Sequence, residues 1–247
     1  METLKAVYIN EIFKISKKKK ITVALIFSFL SVILAAIVVY FLNNFAGIRI
    51  TGSSDFSIMV LTALSYTLFP LFTAFICIDM FAGEFADDTI KFTLTGPAPR
   101  YKVFLGKILA IASFIMTNLI FVMILSLTVS IVIDSSMPNL FKIFLAYIME
   151  FFPQFIFALV VVFIANISKG TTSSFMLSVI VFLLFNGLEF FFPYYKSFLF
   201  TSTFDWYTLI LGSYVNFSKI LRVFLILLGY GIMLFTGTYY LFEKRDI

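Results

Sequence analysis

Glu84-Phe-Ala-Asp87-Asp88-Thr89-Ile-Lys91-Phe-Thr-Leu-Thr95-Gly96-Pro97-Ala-Pro99-Arg100-Tyr-Lys102-Val-Phe-Leu-Gly106-Lys107 places seven charges in twenty-four residues of a chain that is 62% hydrophobic, with a mean hydropathy of +1.07. A chain this apolar dissolves in lipid, where no water satisfies a polar group, so a long charged insert between two apolar runs must emerge from the membrane. Outward from this island, uncharged runs long enough to cross about 30 Å of hydrocarbon occupy residues 21–48, 56–78, 108–133 and 223–242. Two more spans are expected over 143–168, which contains Glu150, and 170–192, which contains Glu189 near its end. Six helices and their connections use up the chain, so residues 1–247 read as a single transmembrane domain.

Composition excludes most chemistry. Charged residues make up 13% of the chain, about half the share in a soluble domain, and thirty-five phenylalanines bring the aromatic content to 19%. No histidine is present, which rules out imidazole metal sites and histidine bases. The single cysteine, Cys77, can neither close an internal disulfide nor form a ligand cluster. The nearest approach to a phosphate loop, Gly47-Ile-Arg-Ile-Thr-Gly52-Ser-Ser, lacks the lysine that reaches the phosphates. An enzyme is therefore not expected, nor any cofactor or metal held by this chain.

Orientation follows the basic residues. With the N-terminus inside, thirteen of the eighteen Lys and Arg fall on the cytoplasmic side, including Lys5, Lys14, the Lys17–Lys20 run, Lys91, Arg100, Lys102 and Lys107. The reading is a multi-pass protein of the cell membrane with both termini and the charged island in the cytoplasm. A net charge of +5 is explained by this basic inner face beside anionic lipid, without nucleic acid.

Before the first span, residues 1–20 read as an interfacial amphipathic helix: Leu4, Val7, Tyr8, Ile12 and Ile15 recur on one face, although Glu11 interrupts the apolar stripe. Lys17–Lys20 read as a positive-inside anchor. Lys102 and Lys107 likewise read as helix-end side chains that reach for the interface. Residues 193–219 are dense in Phe, Tyr and Trp and broken by Pro193, Lys196, Asp205 and Lys219. They read as short helices in an outer interfacial or re-entrant segment that anchors the fold there.

Within the island, Asp87 and Asp88 precede Thr89-Ile-Lys-Phe-Thr-Leu-Thr95, which Gly96 and Pro97 close. Acids suit a helix N-terminus, Asp88 can act as N-cap, Asp87 and Lys91 stand four apart in the favourable order, and Gly-Pro is a stop. The expectation is a two-turn helix about 10 Å long that needs a docking surface to hold it.

The spaced pattern Glu84, Asp88-Thr89-Ile-Lys91, Leu94-Thr95, Pro97, Arg100 and Gly106-Lys107 resembles the cytoplasmic loop between spans two and three of ABC-2-type transporter permeases, and the six-span plan fits that family over the whole chain. The match departs at Asp88 and Pro99, where family members often carry Gly and Ser. The resemblance implies an all-α membrane fold with a cytoplasmic coupling helix, in a loop spanning 82–102, that docks on a separate ATPase. Carried over residue by residue, Glu84, Asp87, Asp88, Thr89, Lys91 and Arg100 would form the docking loop. Two ATPase copies, which would hold the ATP and Mg, and a second permease chain, identical or related, are the implied partners.

Glu150 and Glu189 are expensive in hydrocarbon and are expected to face protein, water or a basic partner such as Lys142, Lys196 or Arg222, in a translocation path, an outer gate or a structural pair. A bundle lined by Phe, Leu and Ile suits amphipathic peptides, lipids or hydrophobic drugs. Small members of the family often export antimicrobial or cytolytic peptides or confer bacteriocin immunity, and peptide export is favoured on that analogy. The competing class is a non-ABC membrane protein: an immunity factor, a scaffold or a small secondary transporter. The paired broken spans of a secondary transporter are not evident in the sequence.

Overall fold

The computed structural model describes residues 2–45, 53–90, 98–133, 139–168, 170–192, 194, 199–211 and 216–245. Lys91 and the rest of the expected short helix through Thr95, together with Lys169 and Lys196, lie outside the described residues. The elements are α1 (Glu2–Ser16), α2 (Lys19–Phe45), α3 (Ser53–Ser65), α4 (Leu68–Ile78), a π-type turn (Asp79–Gly83), α5 (Glu84–Ala86), α6 (Arg100–Ile133), α7 (Leu140–Ile167), α8 (Thr171–Phe191), a 3-10 turn (Phe200–Thr203), α9 (Thr208–Leu211) and α10 (Phe217–Lys244). Among the described residues there is no strand. Six helical stretches are long and apolar enough to cross a membrane: Lys19–Asn43, Leu68–Ala86, Arg100–Val132, Leu140–Ile167, Thr171–Glu189 and Phe217–Lys244. The protein is an all-α integral membrane protein.

The second span differs from the 56–78 run read in the sequence. The helix breaks at Tyr66 and Thr67, leaving Phe56–Ser65 as a shorter apolar helix, and the crossing stretch runs on to Ala86. A break at this depth is tolerable only if protein satisfies the freed backbone. Gln154 Nε2 donates to the Ser65 carbonyl at 3.2 Å, and Thr67 Oγ1 donates to the Ala63 carbonyl at 2.6 Å. The span continues past Ile78 because its acids are neutralised in place: Asp79 is paired with Lys18 and Lys20, and Glu84 with Lys107 and Lys14.

A second backbone defect is repaired in the same way. Pro153, inside α7, has no N–H to give to the Met149 carbonyl one turn earlier. Trp206 supplies the missing donor, its Nε1–H reaching Met149 O at 2.9 Å. This bond seats residues 199–211, part of the aromatic 193–219 segment, against the bundle. Phe200, Phe204, Trp206 and Tyr207 are buried. The Tyr207 hydroxyl bonds Thr62 Oγ1 at 2.7 Å, and Phe204 meets the Tyr66 ring edge-on at 5.5 Å. The segment tucks into the bundle over the α3/α4 break. Tyr194, 87% exposed, and Phe217, 72% exposed, stand outside that packing.

Candidate functional site

The exposed part of the island begins where α5 ends. The Asp87 N–H bonds the Gly83 carbonyl at 2.9 Å, and Asp88 takes φ 54, the left-handed conformation in which a helix terminates. Glycine adopts that conformation freely, and aspartate is among the few other residues that tolerate it. Asp88 thus closes the helix behind it, whereas an N-cap for the segment ahead has extended backbone. Asp87, Asp88 and Thr89 are all exposed, while Ile90, 1% exposed, plants the chain back in the core. Thr89 Oγ1 also donates to the Glu84 carbonyl at 3.3 Å. The result is a short acidic rim held at both ends.

Glu84 is not on that rim. Its carboxylate turns inward, accepting from Lys107 Nζ at 2.7 Å and from Lys14 Nζ at 3.4 Å. Lys107, read in the sequence as a snorkelling anchor, is 0% exposed, and it also reaches Glu11 Oε2 at 3.1 Å. Lys14 closes the ring to Glu11 Oε1 at 3.0 Å. Burial has overridden the expected surface roles because two carboxylates and two ammonium groups assembled together leave no net charge to solvate. Burial alone would push the Glu11 carboxyl up and pull the Lys14 ammonium down. The opposite charges reverse both effects, Lys107 and Lys14 holding Glu11 below its ordinary range and Glu11 and Glu84 holding Lys14 above its own.

These pairs join α1, α5 and α6. The stripe of α1 that Glu11 interrupts is the face that packs on α6: Ile15 is buried, Val7 lies against Gly106, and Tyr8 Oη sits 2.7 Å from Ser113 Oγ. A Cβ at Gly106 would fall 2.6 Å from Val7 Cγ1, so glycine there sets how closely the two helices approach. Arg100, expected in the docking loop, instead donates from Nη1 to the Glu243 carbonyl at 2.7 Å and ties α6 to the end of α10. Arg245 completes this end of the bundle, donating to the carbonyls of Ala165, Asn166 and Ser168 at 3.0 to 3.1 Å and stacking over Phe85 at 3.8 Å. It satisfies carbonyls that the end of α7 leaves without helical partners. The interrupted stripe was the only sign of Glu11 in the sequence. Nothing local marked its pairing with a lysine ninety-six residues away.

Glu150 lies in α7, fully buried, with Oε1 accepting from Gln154 Nε2 at 2.9 Å. Its other oxygen has no hydrogen-bond partner among the described residues, and it forms no ion pair with Lys142 or Arg222. The same Gln154 repairs the α3/α4 break, so Glu150 belongs to the polar seam between α3 and α7. Tyr147 extends that seam, bonded to Ser126 Oγ at 3.0 Å and to the Ser57 carbonyl at 3.2 Å. Glu189 is half-buried in the last turn of α8.

A family model described as ABC-2 family transporter protein matches residues 8–186. The match takes in the α1–α6 ion cluster, the acidic rim and the seam around Glu150. No curated protein matches the chain.

Proposed function

The chain belongs to the ABC-2 transporter family and is a permease subunit of an ABC transporter; on that premise we propose that its acidic rim receives a separate ATPase whose nucleotide cycle drives export. The observation that carries this reading is the mounting of the rim. Asp87, Asp88 and Thr89 are exposed, yet they stand on a helix end whose Glu84 is locked by buried ion pairs to α1 and α6. A docking element transmits force only if it cannot slide on its own support. Lys91 would extend the contact surface, and Arg100 would brace it from behind through α10. ATP and Mg would be held by the partner, two copies of which would serve two permease chains.

Between α7 and α10 lies an apolar cavity of about 440 Å³ lined by Phe151, Phe155, Phe224, Leu228 and Phe235. Such walls favour a hydrophobic or amphipathic cargo, and a peptide is the substrate class we propose. Charge reversal at Asp88 or Lys91 should reduce co-purification with the ATPase and abolish transport-stimulated ATP hydrolysis while the permease still folds. Unchanged co-purification and stimulation in both variants would overturn the assignment.

A further inference from the structure

We propose that the groove between the first turns of α2 and the facing side of α4 is a binding site for an anionic phospholipid of the inner leaflet. The groove encloses about 380 Å³. Its mouth carries Lys19 and Lys20, and its walls are apolar side chains including Val23, Phe27, Leu71 and Phe75. From Lys19 to Phe27 the helix descends about 12 Å, most of the depth of one leaflet. A charged head above an apolar slot of that depth has the shape of a phospholipid.

The charge balance at the mouth selects an anionic one. Lys14 is already matched within the cluster with Glu11, Glu84 and Lys107. Of the four lysines that follow, Lys18 and Lys20 share one acid, Asp79. Lys17 lies 4.0 Å over the Phe13 ring, and Lys19 is exposed with no ion pair among the described residues. A surplus of positive charge therefore stands over an apolar slot. A second copy of the chain is a poor occupant, because a two-fold contact would set this lysine run against itself. A free anion would leave the slot below it unfilled.

The test is native mass spectrometry of the purified full-length chain, delipidated and offered phosphatidylglycerol and phosphatidylcholine with the same acyl chains. The wild type should retain phosphatidylglycerol by about fivefold over phosphatidylcholine, the effect of one lysine at an anionic surface. Lys19→Gln, which removes the charge, and Val23→Phe, which fills the slot, should each bring the two lipids to parity, and Lys19→Arg should keep the preference. If Val23→Phe does not fold, the Gln and Arg pair decides. Equal retention of both lipids by the wild type would overturn the proposal, as would a preference that survives Lys19→Gln. Displacement of the lipid by inorganic phosphate would show a free-anion site, and a Val23→Cys cross-link between two chains in the bilayer would show a protein partner; either result overturns it.

Discussion

Lys107 shows how much one side chain can decide in this molecule. It is fully buried, with Glu84 at 2.7 Å and Glu11 at 3.1 Å, and it reaches both carboxylates from α6 as Lys14 does from α1. A buried ion pair is not strongly stabilising against a well-packed apolar substitute, since the attraction is offset by lost hydration, but removing one partner strands the other. Lys107→Met should therefore lower stability by about 3–5 kcal/mol, read as a fall in thermal unfolding temperature in detergent. Adding Glu84→Gln should recover part of that loss, because the pair is coupled and the second change removes a stranded charge. A double variant as unstable as the summed singles would show that Lys107 acts by packing alone. Neighbouring Gly106 has the complementary role: the charges choose the register of α1 on α6, and the missing Cβ lets Val7 close on it.

At the scale of elements, the defects in the helices are as informative as the helices. Pro153 frees the Met149 carbonyl, and Trp206, from a segment fifty-three residues later, supplies the donor at 2.9 Å. Trp206→Phe should cost about 1–3 kcal/mol by leaving that carbonyl unpaired in an apolar interior. In a Pro153→Ala background, where residue 153 regains its N–H, the same substitution should cost measurably less. Equal losses in the two backgrounds, followed by thermal unfolding, would mean that the indole contributes only its bulk. This coupling also marks what could be read from residues alone. The spans were legible because hydropathy is summed over about 20 residues and tolerates local irregularity. The break at Tyr66 and Thr67, the run of the second span past Asp79, and the burial of Trp206 and Tyr207 were not, because each depends on a partner distant in sequence. Within the candidate site, the exposure of the acids Asp87 and Asp88 was legible from their place after an apolar run, but Asp88 was expected to cap the helix ahead and instead closes the one behind it. The inward orientation of Glu84 was hidden, since its two lysines come from α1 and α6.

For the whole molecule, sidedness is the property on which the coupling proposal rests. Three crossing stretches, Arg100–Val132, Leu140–Ile167 and Thr171–Glu189, separate Thr89 from Tyr194. An odd number of crossings would put these two residues on opposite faces whatever the absolute orientation, and the coupling proposal, following the bias of Lys and Arg, expects Thr89 in the cytoplasm. Cys77, the only cysteine, is buried at 0% exposure, so single cysteines introduced at the two positions can be labelled against a silent background. In sealed right-side-out vesicles a membrane-impermeant maleimide should label Tyr194→Cys, which replaces a ring 87% exposed, and should spare Thr89→Cys until the membrane is permeabilised. Inverted vesicles should reverse the pattern. Labelling of both positions from one face would remove a crossing stretch from the topology. Labelling of Thr89→Cys from outside alone would carry the acidic rim, the lysine groove and the α1 ion cluster to the face that has no ATP, leaving the rim nothing to couple to.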